Sequence, residues 1–443
     1  MPHDQQGLPL VGAPESAAAY DAALADYFGL TGEPVGKLRA ALDRDPGFAL
    51  GGVGVAGLYM IGGVTPDHPE IVRALGEART AMGGASSREQ KHLLAVEAWA
   101  GGRMREAAAV WEDILIDHPT DALALRFVHD AYFFLGQSLR IRDSVARVLP
   151  AWDNQNPLTS FVLGQYAFGL EEAGELKRAE DFGRDAIARN GADAWAVHAL
   201  AHVLETECRQ DEGIAFLKQS RPHWRQAHFM AGHNGWHLAL YLIEEGRYDE
   251  VLADYDRISV PKLAEDATLD RIDAAALLWR LELAGVDVAD RWAPVARQWM
   301  AHVDDHLLAF NDLHLAIAAA RSPNPDDAAR LRASLDAYLR DGVGDNVETT
   351  AAVGRRLIDG VLAFARGDYA RVVEAVAPVR YDVVRIGGSH AQRDIVAQTL
   401  IAAAERSGQT NLARAWLAER VAIRPTAREK ARYARMAGAT AAH

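Results

Sequence analysis

The sequence predicts an all-α fold, a solenoid of helical hairpins with no significant β structure, on three observations. A turn residue recurs at nearly constant spacing. Apolar residues between the turns fall at helical period, and no stretch alternates long enough to make a convincing strand. The 443 residues are 49% hydrophobic and 24% charged, close to an average globular chain, so disorder is excluded as a description of the whole.

The repeat is clearest around GRMREAAAVWEDILIDHP. There Gly102, Ala107, Trp111, Ile114 and Pro119 stand at the offsets of the second helix of a tetratricopeptide unit, with a glycine opening the turn and a proline closing the pair. Equivalent turn positions fall at Gly136, Gly174, Cys208 and Gly246, at spacings of 34, 38, 34 and 38 residues. The Gly-x-Tyr signatures at Gly246 and Gly367 extend the array toward the C-terminus. The expectation is therefore one tetratricopeptide-like domain over residues 1–443, wound as a right-handed superhelix.

Taken in chain order, residues 1–15 are expected to fray. The apolar run Gly51 to Gly63 falls short of the roughly 20 residues a membrane helix needs, and its glycines make it a poor isolated helix. Residues 88–260 hold the clearest units and residues 261–443 further helical pairs. Asp266 to Arg321 reads as amphipathic helices, with Trp279 and Trp292, like Trp111, in apolar stripes and so assigned to the core. Ser322 to Asp326 and Asp341 to Asp345 read as loops, and the final GATAAH as a frayed end.

Charge and cysteine content narrow the function classes. Lys plus Arg number 47 against 61 for Asp plus Glu, a formal charge of -14, and this field repels a phosphate backbone; nucleic acid is not an expected partner. The N-terminus shows no secretory or transit signal, and no membrane partner is expected. The one cysteine, Cys208, cannot form an intrachain disulfide, which points to a reducing cytoplasm. No Gly-x-Ser-x-Gly elbow, phosphate-binding loop, dinucleotide glycine motif or His-Glu-x-x-His helix is present.

The repeat register places a polar stripe on the first helix of each unit, facing the concave side. In the fourth unit, beginning at Ala194, the stripe is Trp195, His198, His202 and Glu205; in the fifth, beginning at Gly232, His233 and Trp236 take it with His237 alongside. In the second unit it is Arg126 and Asp130, with His129 adjacent. His198 with His202, and His233 with His237, are His-x-x-x-His pairs one turn apart, the spacing of metal ligands on a helix. The bland reading is that these imidazoles satisfy partners at helix contacts. Further on, Gly387 and Gly388 precede Ser389, His390, Gln392, Arg393 and Asp394, a loop-to-helix start suited to an anion or simply an N-cap.

Taken together, the stretches SREQKHLLAVE, HPTDALALRFVHDAYFFLG, RDSVAR, DAWAVHALAH, HNGWHLALYLIEEG, FNDLH and GGSHAQRD resemble the tetratricopeptide repeat protein 38 family over nearly the whole chain. Matching motif positions are His129, Asp130, Asp193, Trp195, His198, His202, His233, Asn234, Trp236, His237, Asn311, Asp312, His314, Gln392 and Arg393; Glu205 and His390 depart from the pattern. The resemblance implies a helical tetratricopeptide-like fold in a soluble intracellular protein, and brings no established reaction.

Three functions follow as expectations. The first is binding of a small polar molecule or peptide in a concave cavity, with Arg126, His129, Asp193, Trp195, His233, Asn234, Trp236, His314, Gln392 and Arg393 as ligand contacts. The second is an enzyme on the same pocket, with His198, His202 and His237 as catalytic imidazoles and Asp130 and Asp312 as orienting carboxylates. The third is an interaction scaffold with structural histidines. No cofactor is fixed by the sequence; a divalent metal on His198, His202, His233 and His237 is the one the residues admit. Oligomeric state is not legible.

Overall fold

The computed structural model describes the backbone of residues 1–440 and the side chains of residues 1–438. The chain is 77% helix with no strand among the described residues, and the helices pack in adjacent pairs as in an α-solenoid. Residues 441–443, the end of the run expected to fray, lie outside the described residues.

The turns carry the repeat. Gly102, Gly136, Gly174, Cys208, Gly246 and Gly367 all have left-handed backbone, with φ of 77°, 65°, 82°, 59°, 70° and 78°. Each closes its helix in the same way. The turn residue's N–H donates three residues back and the next N–H five back, as in Gly102 to Trp99 with Arg103 to Ala98, and Cys208 to Glu205 with Arg209 to Leu204. This double bond satisfies carbonyls that a helix end would leave orphaned. The period read in the sequence is thus a period of helix-ending turns.

By their packing the helices gather into two compact units. Unit 1 is Met1–Leu200, Pro222–Ala231 and Val343–Asp345; unit 2 is Ala201–Arg221, Gly232–Gly342 and Asn346–His443.

In unit 1 the helix Ser87–Ala100 packs on Met104–Asp117, that on Ala122–Phe134, and Thr159–Glu172 on Leu176–Arg189. Trp111, fully buried, meets Trp99 and Phe127 edge-on with ring centroids 5.9 and 5.4 Å apart. The apolar run forms the helix Ala49–Ile61, buried over most of its length. Its glycines are what let it pack: a Cβ on Gly52 would stand 2.6 Å from the Ala74 carbonyl oxygen, and one on Gly57 2.5 Å from the Phe127 ring.

The N-terminal segment corrects an expectation. Only residues from Pro14 onward are helical, yet residues 1–13 are tied down rather than frayed. Leu10 is fully buried, Arg88 donates to the Pro9 carbonyl at 2.9 Å, and the Val11 N–H reaches Glu89 at 2.8 Å. Buried hydrogen-bond partners on the helix Ser87–Ala100, 70 residues and more away, hold a segment whose composition alone suggests a loose end.

In unit 2 the helix Thr268–Leu283 packs against Trp292–Met300, Ala309–Ala320 and His390–Arg406, while Thr410–Ile423 joins His390–Arg406 to Ala427–Thr440. Trp279 and Trp292 are buried core residues as the apolar stripes predict, and their indole N–H groups donate to Thr399 and Glu282. The two loops fall where expected, the second narrowed to residues 342–344. No described helix is long and apolar enough to cross a membrane.

Candidate functional site

In unit 1 the helix Ala122–Phe134 starts on Asp121, whose side chain accepts the Ala124 N–H at 2.9 Å. Residues 122–132 are all buried, so the helix is enclosed on every side and its polar residues must find partners inside. Arg126, His129 and Asp130 lie on one face. Arg126 bonds Asp130 through Nε at 3.1 Å, and the Tyr27 hydroxyl donates to the same carboxylate oxygen at 2.5 Å. The guanidinium carbon stands 4.6 Å from the Trp195 ring centroid and 5.3 Å from that of Tyr27. Two aromatic faces and one carboxylate therefore fix the guanidinium, and its bond to Asp130 leaves the terminal amino groups out of that pair.

Around this clamp stand polar groups without hydrogen-bond partners. Fully buried His129 has none on either ring nitrogen, and its ring lies 5.7 Å from Trp195 and 6.0 Å from Phe168. Burial, helped by the Arg126 charge, holds the His129 pKa well below its ordinary value, so the ring is neutral near pH 7 with one N–H and one lone pair. The Trp195 indole N–H and both amide atoms of buried Gln165, one turn before Phe168, are also unpartnered. His198 packs 5.4 Å from Phe168 and 5.2 Å from Trp195.

Asp193 has a structural task. Its Oδ1 accepts the Trp195 and Ala196 N–H groups at 3.0 and 2.9 Å, capping the helix Ala194–Thr206. Burial lifts its pKa to about 7 against those two bonds.

Unit 2 holds an imidazole group. His202 and His237 are fully buried with ring centroids 4.5 Å apart and ligand nitrogens within 4.8 Å. His237 Nδ1 lies 3.3 Å from Glu205 Oε2, and Arg424 bonds the other oxygen of Glu205. Burial would raise the Glu205 pKa, but Arg424 and neighbouring His202 outweigh it and hold the carboxyl below its usual range. His390 approaches His202 with ring centroids 5.3 Å apart. His233 Nδ1 lies 2.8 Å from Asp273, with its ring stacked on Trp236 at 5.2 Å and edge-on to His237 at 4.9 Å. Arg280 covers the other neighbourhood of Trp236 at 5.2 Å and donates to the carbonyls of Ala391 and Gln392.

Several sequence candidates have local structural partners instead. Asp130 is held by Tyr27 and Arg126, not by an imidazole. Asp312 pairs with His306 at 3.1 Å, not with His198, His202 or His237. His314 donates from Nδ1 to the Phe310 carbonyl at 2.8 Å, and burial lowers its pKa to about 4. Gln392 completes a capping box with Ser389, and Arg393 bonds the Gly388 carbonyl, so this turn is a capped helix start. Asn234 is fully buried beside His233 in sequence, and Trp195 and Trp236 are buried where an open groove would expose them.

Sequence reasoning missed Tyr27, Gln165, Asp273, Arg280 and Arg424. Gln165 alone had a signal, as the one polar side chain amid the apolar run FVLGQYAFGL. The others reach their places from helices far away in sequence. No protein-family model matches the chain.

Proposed function

We propose that the protein binds a small polar ligand bearing a carboxylate or a similar planar acceptor, at the Arg126 clamp of unit 1. The observation that carries this reading is that a guanidinium fixed between Trp195 and Tyr27 stands beside His129, whose two ring nitrogens are buried without partners. Folding a helical array does not require such groups, because unsatisfied buried polar atoms each cost about 1–3 kcal/mol. A ligand that accepts from the Arg126 amino groups and pairs with His129 recovers that cost on binding.

The test is thermal unfolding of the wild type against a panel of small mono- and dicarboxylates and phosphate monoesters, beside Arg126→Met. One class should raise the wild-type Tm with at least tenfold weaker binding in the variant. An unmoved Tm across the panel, or an equal shift in Arg126→Met, would sink the assignment.

A second reading, catalysis, is favoured by the imidazole–carboxylate pairs His237–Glu205 and His233–Asp273, the arrangement that orients a general base. We also propose membership of the tetratricopeptide repeat protein 38 family, supported by the motifs quoted above and by six hairpin turns of one geometry, and residence in a reducing compartment, supported by unpaired Cys208.

A further inference from the structure

We propose that His202 and His237, both in unit 2, hold a divalent transition-metal ion of the zinc class. This site is separate from the Arg126 clamp and does not depend on it.

The argument begins with tautomers. His237 turns Nδ1 toward Glu205 Oε2 at 3.3 Å, an oxygen that accepts, so Nδ1 carries the proton and Nε2 keeps the lone pair. Carboxylates play this part behind metal-bound imidazoles, fixing the ring and raising its basicity. His202 faces His237 at 4.5 Å between ring centroids, and ligand nitrogens within 4.8 Å come to the spacing of roughly 3.3 Å in a tetrahedral centre through small ring movements.

The surrounding charge is compatible with a cation. The Arg424 guanidinium beside Glu205 is neutralised by that carboxylate and by Asp394 at 3.4 Å, which Arg420 also binds. Burial keeps bulk water away from the imidazoles, and soft nitrogen donors without a cluster of carboxylates select zinc, cobalt or copper over magnesium or calcium. Two imidazoles leave the remaining positions of a tetrahedral centre to water or ligand atoms.

The experiment uses full-length protein purified without a histidine tag or chelator. Metal content is measured first, and the metal-stripped protein is then titrated with Co2+, whose visible bands report low-coordinate nitrogen ligation. Near-stoichiometric zinc, or saturable Co2+ binding with those bands, is expected. His202→Ala/His237→Ala should weaken binding at least 100-fold, Glu205→Gln should weaken it about 10- to 100-fold, and His68→Ala should leave it unchanged. Far-UV circular dichroism confirms that each variant folds. Wild-type protein that takes up neither metal overturns the proposal without recourse to any variant, as does binding equal to that of the folded double variant.

Discussion

Cys208 adopts the same left-handed backbone as Gly246, with φ of 59° against 70°, and ends its helix with the same pair of backbone hydrogen bonds. A β-carbon in that conformation crowds the following carbonyl, at a cost of roughly 1–2 kcal/mol that glycine avoids. Cys208→Gly should therefore stabilise the protein by roughly 1 kcal/mol, set against the greater freedom glycine gives the unfolded chain. Chemical denaturation of the two proteins checks this, and a loss of stability would show that the thiol makes a contact worth more than the strain.

Gly52 should behave in the opposite sense. Alanine gains about 1 kcal/mol of intrinsic helix propensity over glycine. At this position its Cβ would stand 2.6 Å from backbone at Ala74, so the helices Ala49–Ile61 and Pro69–Ala81 would have to separate. We expect Gly52→Ala to destabilise by about 1–3 kcal/mol, read from the urea midpoint.

Arg88 should prove to anchor the N-terminus. It donates to Asp121 at 2.7 Å and to the Pro9 carbonyl, while His92 lies 3.0 Å from the same Asp121 oxygen. Burial would raise the Asp121 pKa, but His92 and Arg88 outweigh it and hold the carboxyl well below its usual range. Arg88→Met leaves that buried carboxylate with one partner fewer and should cost about 3–5 kcal/mol. Limited proteolysis should then cut within residues 1–13, which the wild type protects.

Asp193 gives a pH dependence of definite sign. Its pKa is about 7 when folded against an ordinary 3.8, so between those values the folded state binds the extra proton and stability falls as pH rises. Asn in its place keeps the capping oxygen and removes the titration. Relative to wild type, Asp193→Asn should gain at least roughly 1 kcal/mol on going from pH 4 to pH 7, since a tenfold difference in proton affinity between the folded and unfolded states corresponds to about 1.4 kcal/mol. Parallel stability curves would show that Asp193 does not titrate in this range.

Much of the local structure was legible. The turn positions, the buried Trp111, Trp279 and Trp292, and the all-helical class follow from spacing and period, which act within a few residues of chain. The candidate site was legible in part. His202, Glu205 and His237 come together in unit 2, and Arg126, His129 and Trp195 in unit 1, because a repeat register says which residues share a face. Asp312, His314, Gln392 and Arg393 share that chemistry but have partners of their own, and residue type alone does not separate a ligand contact from a capping residue.

The sequence by itself determined where helices stop, because a left-handed turn needs a particular residue and the hydrogen bonds that close it lie within six residues. The tertiary structure alone decided which polar groups meet. Tyr27 reaches Asp130 across 103 positions, and Arg424 reaches Glu205 across 219. Such pairings depend on how helices stack rather than on any period along the chain. The same holds for residues 1–13, whose order comes from partners on a distant helix that satisfy backbone groups the segment cannot satisfy itself.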